Sequence, residues 1–439
     1  MERELRVAGR KMITRRQFFK TAAAGAASML AGTSFFVRPA RGTPRATVTM
    51  LHWSHFVPAF NPELERQITA WAAQRGVAAR VDFIAVRDIP ARLAAEAESR
   101  TGHDIVQLIL FDPALYYHHL LPLDDIASEV ERDSGPWLPV ARYVAQFGGR
   151  WYALPWYHYS TPATINVKHW RRIGMGAENV AALDWDAFLV YAERLHALGH
   201  SVAVTLGQTF DAQEGTHSIL YSFGGRVVDA KGNVVIDSAE TARAIEYLKR
   251  LFRFMPREVL GWDDASNNRY MLSGVGSWVH NGPSIWAVAK LQGLAVADEL
   301  DHVPMPRGPA GRFRLTRTLC LGIWRFSRQA ELAKDLLRFL LRPDNYARQV
   351  EASMGYNQPL LRKLGQHPLW RQERVLRYYE PPREEVVVPG WPGPPGPAAQ
   401  LSYTGFIVPL MFARAATGEM STSEAIRWAE RELRSRYRG

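Results

Sequence analysis

Few folds accommodate the regular exchange of strand-type and helix-type sequence that begins at Ala46. Residues 46–53 are β-rich, with Thr and Val alternating, and Asn61-Pro62 then supplies an N-cap and a first-turn proline. Leu64, Ile68, Trp71 and Ala72 follow at helical spacing, and Gly76 closes that helix. A strand over 79–86, a helix over 88–100 and a strand over 104–111 come next. Strand, helix, strand, helix, strand with short connections predicts a parallel sheet wrapped by helices, an α/β architecture. Ligands of such sheets bind beyond the carboxyl ends of the strands, here residues 53–56 and 111–113.

A second series follows Pro155: strands at 164–167 and 201–206, with a helix at 185–198 between them. Residues 217–223 and 239–254 read as helices, 313–324 as a strand and 329–341 as an amphipathic helix. The Pro- and Gly-rich run 389–397 cannot be helix or central strand, so it is a stiff loop, and a last helix covers 423–436. With 439 residues, 47% hydrophobic and 22% charged, the chain is ordinary globular material for two or three compact units, neither disordered nor fully membrane-embedded. The single cysteine, Cys320, excludes an internal disulfide framework and a cysteine-based zinc or iron–sulfur site; in its apolar strand it reads as a small buried hydrophobe.

The net charge of +11 would suit a nucleic-acid partner if it were spread over the molecule. It is not: residues 1–42 carry nine basic and two acidic residues. Removing them from 54 basic and 43 acidic residues leaves 45 and 41, a net of +4. The basic stretch ends at Lys20 and leads into an uncharged Ala/Gly-rich run over 21–37, then Ala40-Arg41-Gly42, the order of an export signal cleaved after Gly42. Thr14-Arg15-Arg16-Gln17-Phe18-Phe19-Lys20 resembles the twin-arginine export motif, carried by Arg15 and Arg16, with Phe19 where Leu is commoner. No cysteine lies near the cleavage region to take a lipid. The Arg-rich last helix interleaves its cations with Glu424, Glu430 and Glu432, which reads as helix ion pairs and not a nucleic-acid stripe.

Enzyme signatures fail in turn. There is no phosphate loop, nucleophile elbow, H-E-x-x-H or G-x-G-x-x-G; Ser273–Ser277 is glycine-rich, but Val279 stands where the third glycine belongs. His118 and His119 are adjacent and face apart, and His52 with His55 reads better as hydrogen-bonding histidines than as a metal pair. Asp124-Asp125 and Asp263-Asp264 read as caps and turns. No catalytic, metal or cofactor site is expected. What is abundant is aromatic surface in loops: Trp151 to Tyr159 crowds six rings around Pro155, and Trp262, Trp278, Trp286 and Trp391 stand beside Gly, Asn, Asp and Pro. Flat apolar faces beside fixed amides suit a sugar ring, although lobe packing is the plainer role for any single Trp.

Several of these segments together resemble family 1 extracellular solute-binding proteins of ABC importers, the group that includes the maltose-binding protein. Gly149-Arg150-Trp151-Tyr152-Ala153-Leu154-Pro155 followed by Ile165-Asn166-Val167-Lys168 is similar to the family's "GK-Y-A-L-P … YNK" crossing. Asp184-Trp185-Asp186-Ala187-Phe188 resembles its "TWDEF" helix start, Asn281-Gly282-Pro283 its "NGPW" turn, and Gly418 to Ala425 its "G-x-x-T-P-E-E-A" close. The passage Ser222-Phe223-Gly224-Gly225 … Val235-Ile236-Asp237-Ser238 … Glu240-Thr241-Ala242 is similar to its "GG … V-x-I/F-[ND]-S-P-E-T".

The resemblance implies the type II two-lobed periplasmic binding fold, α/β in each lobe, with a ligand cleft between lobes. It places a signal peptide at 1–42, an N-terminal lobe at 43–158 plus 311–345 and a C-terminal lobe at 159–310 plus 346–439, with crossings near 156–162 and 304–312. Cleft-facing positions would be Trp53, His55, Asp112, Trp156, Tyr157, Tyr159, Asn281 and Gly282. The family's stacking Trp after Pro283 is replaced by Ser284, so Trp286 or Trp391 becomes a candidate ring. The implied protein is a monomeric periplasmic carrier of a carbohydrate or polyol that works with an ABC permease and its ATPase, after export by the twin-arginine translocase, and binds no nucleic acid. Two alternatives stay open: a non-sugar solute, either a phosphorylated polyol or an amine, and an exported cofactor enzyme. An anion would need a pocket arginine, Arg87, Arg226 or Arg317, for each of which surface ion pairing is the plainer role.

Overall fold

The computed structural model describes residues 32–38, 46–379 and 386–438. Its strands are β1 (Thr33–Val37), β2 (Thr47–Trp53), β3 (Ala78–Ile84), β4 (Ile105–Ile109), β5 (Gln146–Phe147), β6 (Arg150–Trp151) and β7 (Leu154–Ser160). They continue with β8 (Ala163–Asn166), β9 (Val202–Ala203), β10 (Trp278–His280), β11 (Leu300–Val303), β12 (Arg314–Ile323), β13 (Gln358–Pro359) and β14 (Val386–Val387). One eight-stranded sheet is ordered β1-β3-β2-β4-β12-β7-β13 with β14 beside β12, and a four-stranded sheet is ordered β11-β8-β10-β9. Strands β5 and β6 form a separate ribbon.

The first α/β series builds the larger sheet: β2 lies parallel to β3 and β4, and their helices cover it. Helix Phe60–Arg75 ends at Gly76, whose φ of 64° lets its N–H reach the Ala72 carbonyl, a conformation that costs a side-chain-bearing residue more. Its start differs from expectation: Ala59 holds the N-cap position, and Asn61 instead accepts the His55 N–H at 3.3 Å. Each lobe has its own tryptophan-rich core, with Trp53, Trp71, Trp156 and Trp324 in the larger and Trp170, Trp185 and Trp278 in the smaller, all below 2% exposure. Burying a large apolar side chain contributes on the order of 1.5–3 kcal/mol, so these rings fix each lobe internally.

The chain passes from the large to the small sheet through residues 161–162, between β7 and β8, and back through 304–313, between β11 and β12. Residues 346–361 and 386–387 depart from the expected lobe division. Helix Pro343–Ala352 packs on helix Phe60–Arg75, β13 pairs with β7 and β14 with β12, so these segments belong to the larger lobe, while Arg374 and Arg377 bridge to Asp301 on β11 of the smaller. The helices Pro397–Thr404, Ile407–Thr417 and Thr422–Tyr437 pack on one another; the last two also pack on helices Phe210–Ser222 and Ala239–Phe252 of the smaller lobe, and the first touches helix Asp112–Tyr116 of the larger. The Pro- and Gly-rich run is therefore a third connection between lobes.

Arg15, Arg16 and most of the expected leader lie outside the described residues. Its later part does not: Thr33–Val37 pairs antiparallel along β3, from Thr33 opposite Phe83 to Val37 opposite Ala79, as an edge strand with Phe36 47% exposed. No helix among the described residues is long and apolar enough to cross a membrane.

Candidate functional site

Where β7 and β12 leave the large sheet they carry Tyr159 and Arg317 opposite each other in register. Arg317 is buried, its guanidinium 4.5 Å above the Tyr159 ring and 5.0 Å from that of Phe210. It meets the small lobe at helix Phe210–Ser222, where Asp211 and Glu214, three residues apart, share one face. Its Nη2 lies 2.7 Å from Glu214 Oε1 and 3.6 Å from Asp211 Oδ1, an ion pair closest to Glu214. Asn267 donates to Asp211 Oδ2 at 2.7 Å, Thr161 donates to Glu214 Oε2 at 3.1 Å, and the Phe210 N–H donates to Asp264 Oδ1 at 2.9 Å. Since the Thr161 hydroxyl has its proton on Glu214, the His280 Nε2 that lies 2.9 Å away is the donor of that pair, which leaves His280 Nδ1 an acceptor.

Burial governs the protonation of this cluster. Desolvation pushes Glu214 up to about 7 against the pull of Arg317, raises Asp264, and raises Asp211 further with help from Asp264 and Glu214. It also drives His280 down to about 3, with Arg314 and Arg317 adding to the effect, so that imidazole is neutral. The hydroxyls of Tyr159 and Tyr403, Asp264 Oδ2, Asn267 Oδ1, Gln213 Oε1 and Arg317 Nε are buried without a hydrogen-bond partner among the described residues. Buried polar atoms in folded proteins are nearly always satisfied, so such a concentration between two lobes marks a place built for added polar groups. Beside it a small cavity of about 20 Å³, room for about one water molecule, is lined by Ser54, Phe56, Arg87 and, from the small lobe, Asp263 and Asp264.

The sequence-selected residues divide by location. Tyr159 stands in the cluster. Gly282 approaches it closely: a Cβ there would lie 3.3 Å from Tyr356 and 3.4 Å from Thr161. Asn281 donates to Asn268, which in turn donates to Ser284 at 3.1 Å. Tyr356 joins the two sides, with its ring centroid 4.9 Å from Tyr159, 5.0 Å from His55 and 6.2 Å from Trp53. Behind it, Trp53, His55, Trp156 and Tyr157 form a ring cluster with His52 and Phe60 inside the large lobe. Trp53 Nε1 donates to the Tyr157 hydroxyl and Trp156 Nε1 to Gln349, each at 2.8 Å. His55 accepts the Val57 N–H at Nδ1 and donates from Nε2 to Asn357 at 3.1 Å.

Three candidates have other local roles. Asp112 is buried, accepting the Ile109 N–H at 2.8 Å and Gln400 Nε2 at 2.7 Å, and burial raises its carboxyl to about 7. It braces the loop after β4, where Leu110 takes a φ of 52°. Trp286 is buried on its helix under Lys290, whose ammonium is 4.7 Å from the ring. Trp391 packs on Tyr221 and Phe313 and caps Arg226, whose guanidinium lies 4.5 Å from its ring. Arg226 is thus held by rings and by the Tyr221 and Gly225 carbonyls, and Arg87 is exposed 3.8 Å from Asp88. Arg317, weighed for an anionic solute, is buried and faces carboxylates. Surface pairing describes only Arg87.

Sequence reading missed Asp211, Glu214, Asn267, Tyr356 and Tyr403. The helix was expected to begin at His217, yet it begins at Phe210, and all 13 of its residues are buried despite Asp, Gln, Glu, Thr, His and Ser. A detectable signal was Thr209, which caps it by accepting the Ala212 N–H at 3.1 Å. Asp264 was read as a turn residue. Asp263 fills that role, accepting the Ala265 N–H at 3.0 Å, while Asp264 turns into the cluster. Among the described residues no group of three or more His, Cys, Asp or Glu could hold a metal ion.

Two α/β lobes joined by strands that flank a buried polar cleft define the periplasmic-binding-protein fold, and solved structures of that fold superpose on nearly the whole chain. The GacH receptor of Streptomyces glaucescens, solved unliganded and with acarbose, aligns with a TM-score of 0.76 at 17% identity over 90% of this chain and 98% of its own. Maltose-bound MalE3 of T. maritima gives 0.72 at 20% identity, over 89% and 99%. An ABC transporter solute-binding protein of Agrobacterium vitis S4 with bound D-mannitol gives 0.71 at 15%, over 89% and 98%. No curated protein sequence matches significantly. The chain belongs to the family of bacterial extracellular solute-binding proteins, which it matches over residues 67–373.

Proposed function

We propose that this solute-binding protein captures a carbohydrate or polyol between its lobes and delivers it to the permease of an ABC importer. The observation that carries this reading is the buried interlobe cluster, in which tyrosine hydroxyls, amide oxygens and carboxylates stand unpartnered beside aromatic faces. Hydroxyl groups both donate and accept, so a polyol can satisfy hydroxyls, carboxylates and amides together while its C–H faces lie on Tyr159, Tyr356 or Phe210. The acarbose, maltose and D-mannitol held by the structurally similar proteins support the same class. A phosphorylated polyol is disfavoured, because the one guanidinium in the cluster is already opposed by Asp211 and Glu214.

In this scheme an open form binds solute on one lobe and closure adds contacts from the other, so solute shifts the population by its greater affinity for the closed form. The site residues are Tyr159, Arg317 and Tyr356 on the large lobe and Asp211, Glu214, Asp264, Asn267 and Tyr403 on the small, with Asn281 and Gly282 shaping its floor. Trp53, His55, Trp156 and Tyr157 support it from behind. The protein acts as a periplasmic monomer, exported through the twin-arginine translocase by Arg15 and Arg16 and processed after Gly42. Exported protein with an N-terminus elsewhere, or undiminished export of Arg15→Lys/Arg16→Lys, contradicts that route. The function itself is tested by calorimetric titration with mono-, di- and oligosaccharides and polyols. Saturable heat that disappears in Asp211→Asn/Glu214→Gln supports it; silence across the panel with saturation by an anionic solute overturns it.

A further inference from the structure

The charge and hydrogen-bonding capacity of the interlobe cluster narrow its solute further, provided that the cleft is the ligand site as proposed. Three buried carboxyl groups, those of Asp211, Glu214 and Asp264, face one guanidinium, that of Arg317. Other cations near it are committed elsewhere. Arg314 donates to the Tyr378 carbonyl and reaches the cluster only through its field on His280, and Arg269 pairs with Asp263 at 2.9 Å. His280 stands neutral beside Thr161, and Tyr159, Tyr356 and Tyr403 are held in the phenol form by burial. The cluster thus holds more carboxyl than guanidinium groups; burial displaces all three carboxyls upward, and a cation placed among them would draw them back toward the ionised form.

Unpartnered atoms show the same bias. Asn267 Oδ1, Gln213 Oε1, His280 Nδ1 and, when ionised, Asp264 Oδ2 accept only, whereas Arg317 Nε and Asn357 Nδ2 donate only, and the Tyr159 and Tyr403 hydroxyls can do either. A neutral sugar brings donors and acceptors in equal number and leaves acceptors over. An ammonium brings three donors and a charge. Aromatic faces suit such a cation, as Arg317 already shows by lying over Tyr159 and Phe210.

We infer that the solute is an amine-bearing carbohydrate, with its protonated amine against Asp264 and Asp211 and its hydroxyls shared by Tyr159, Tyr403 and Asn267. Calorimetric titration of the exported protein with matched probes tests it: D-glucosamine, D-galactosamine, D-mannosamine and chitosan oligomers, each against its neutral parent and its N-acetyl form. At least one free amine binds about tenfold or more tighter than both neutral counterparts. Acetylation removes the charge without altering the protein, so the wild-type arm decides the matter even if a variant misfolds. In Asp264→Asn, checked by its melting temperature, the preference falls to within about twofold. Neutral sugars binding as tightly as their amines overturn the charge inference and leave the sugar-binding reading in place. Silence from neutral and aminated probes alike, with saturation by an anionic solute, overturns both.

Discussion

The ring cluster inside the large lobe and the polar cluster between the lobes are both buried and both crowded with aromatic side chains, but their polar atoms are settled differently. In the first, Trp53 and Trp156 place each indole N–H on an acceptor, and both ring nitrogens of His55 are used. In the second, the hydroxyls of Tyr159 and Tyr403 and one oxygen each of Asp264 and Asn267 have no partner among the described residues. The first cluster, in which His52 Nε2 and Asn357 Nδ2 are the atoms left over, mainly stabilises the fold, whereas the less satisfied second one lowers stability in exchange for the ability to take new partners. Aromatic content alone therefore does not locate the site; the accounting of hydrogen bonds does.

The largest expected difference lies in Trp156→Ala. Trp156 is 1% exposed, and its removal opens a cavity against His52 and Phe60 and leaves Gln349 Oε1 without its indole donor. Loss of about 3–5 kcal/mol, a fall in melting temperature on the order of 10 °C, is expected by thermal denaturation, while the folded fraction keeps its solute affinity. An unchanged melting temperature with lost binding would move Trp156 from the core into the cleft.

A smaller and more discriminating effect comes from the same substitution made twice. Tyr157→Phe removes the acceptor of the Trp53 indole and leaves that donor buried, so stability falls by about 1–3 kcal/mol with solute affinity retained. Tyr403→Phe removes a hydroxyl with no partner, so stability holds or rises slightly, and affinity drops by about tenfold, the worth of about one good hydrogen bond. Denaturant midpoints and titration calorimetry on the two variants read both effects. If the two tyrosines behave alike, the distinction between the clusters is wrong.

Much of the fold is written locally. The 46–53, 79–86 and 104–111 patterns return as β2, β3 and β4 within two residues at each end, because alternation and capping act over short spans. Lobe membership of 346–361 was not legible, since β13 holds its place by pairing with β7 some 200 residues earlier, as Gln358 opposite His158 shows. The site followed the same division. Tyr159, Asn281 and Gly282 lie in recognisable segments, whereas Asp211, Glu214, Asp264, Tyr356 and Tyr403 meet only once both lobes have folded. Arg317 was visible as a charge inside an apolar strand, but its neighbours alone decide that it faces carboxylates.

Glu214 of the one cluster and His55 of the other should also answer pH in opposite directions, and this is the smallest effect. Burial lifts Glu214 from 4.5 to about 7, so between those values the folded protein holds a proton that the unfolded chain has released. Stability from this group is complete below pH 4.5 and is lost as pH rises through 7, by up to about 1.4 kcal/mol per pH unit. Burial lowers His55 from 6.5 to about 3, so below pH 6.5 the unfolded chain binds a proton that the folded one refuses, and this contribution is lost as pH falls. Melting temperatures from pH 4.5 to 7.5 should show Glu214→Gln gaining on the wild type as pH rises and His55→Gln gaining as pH falls. Parallel profiles for all three proteins would mean that neither group changes its proton affinity on folding, and the contrast between the clusters would then rest on hydrogen bonds alone.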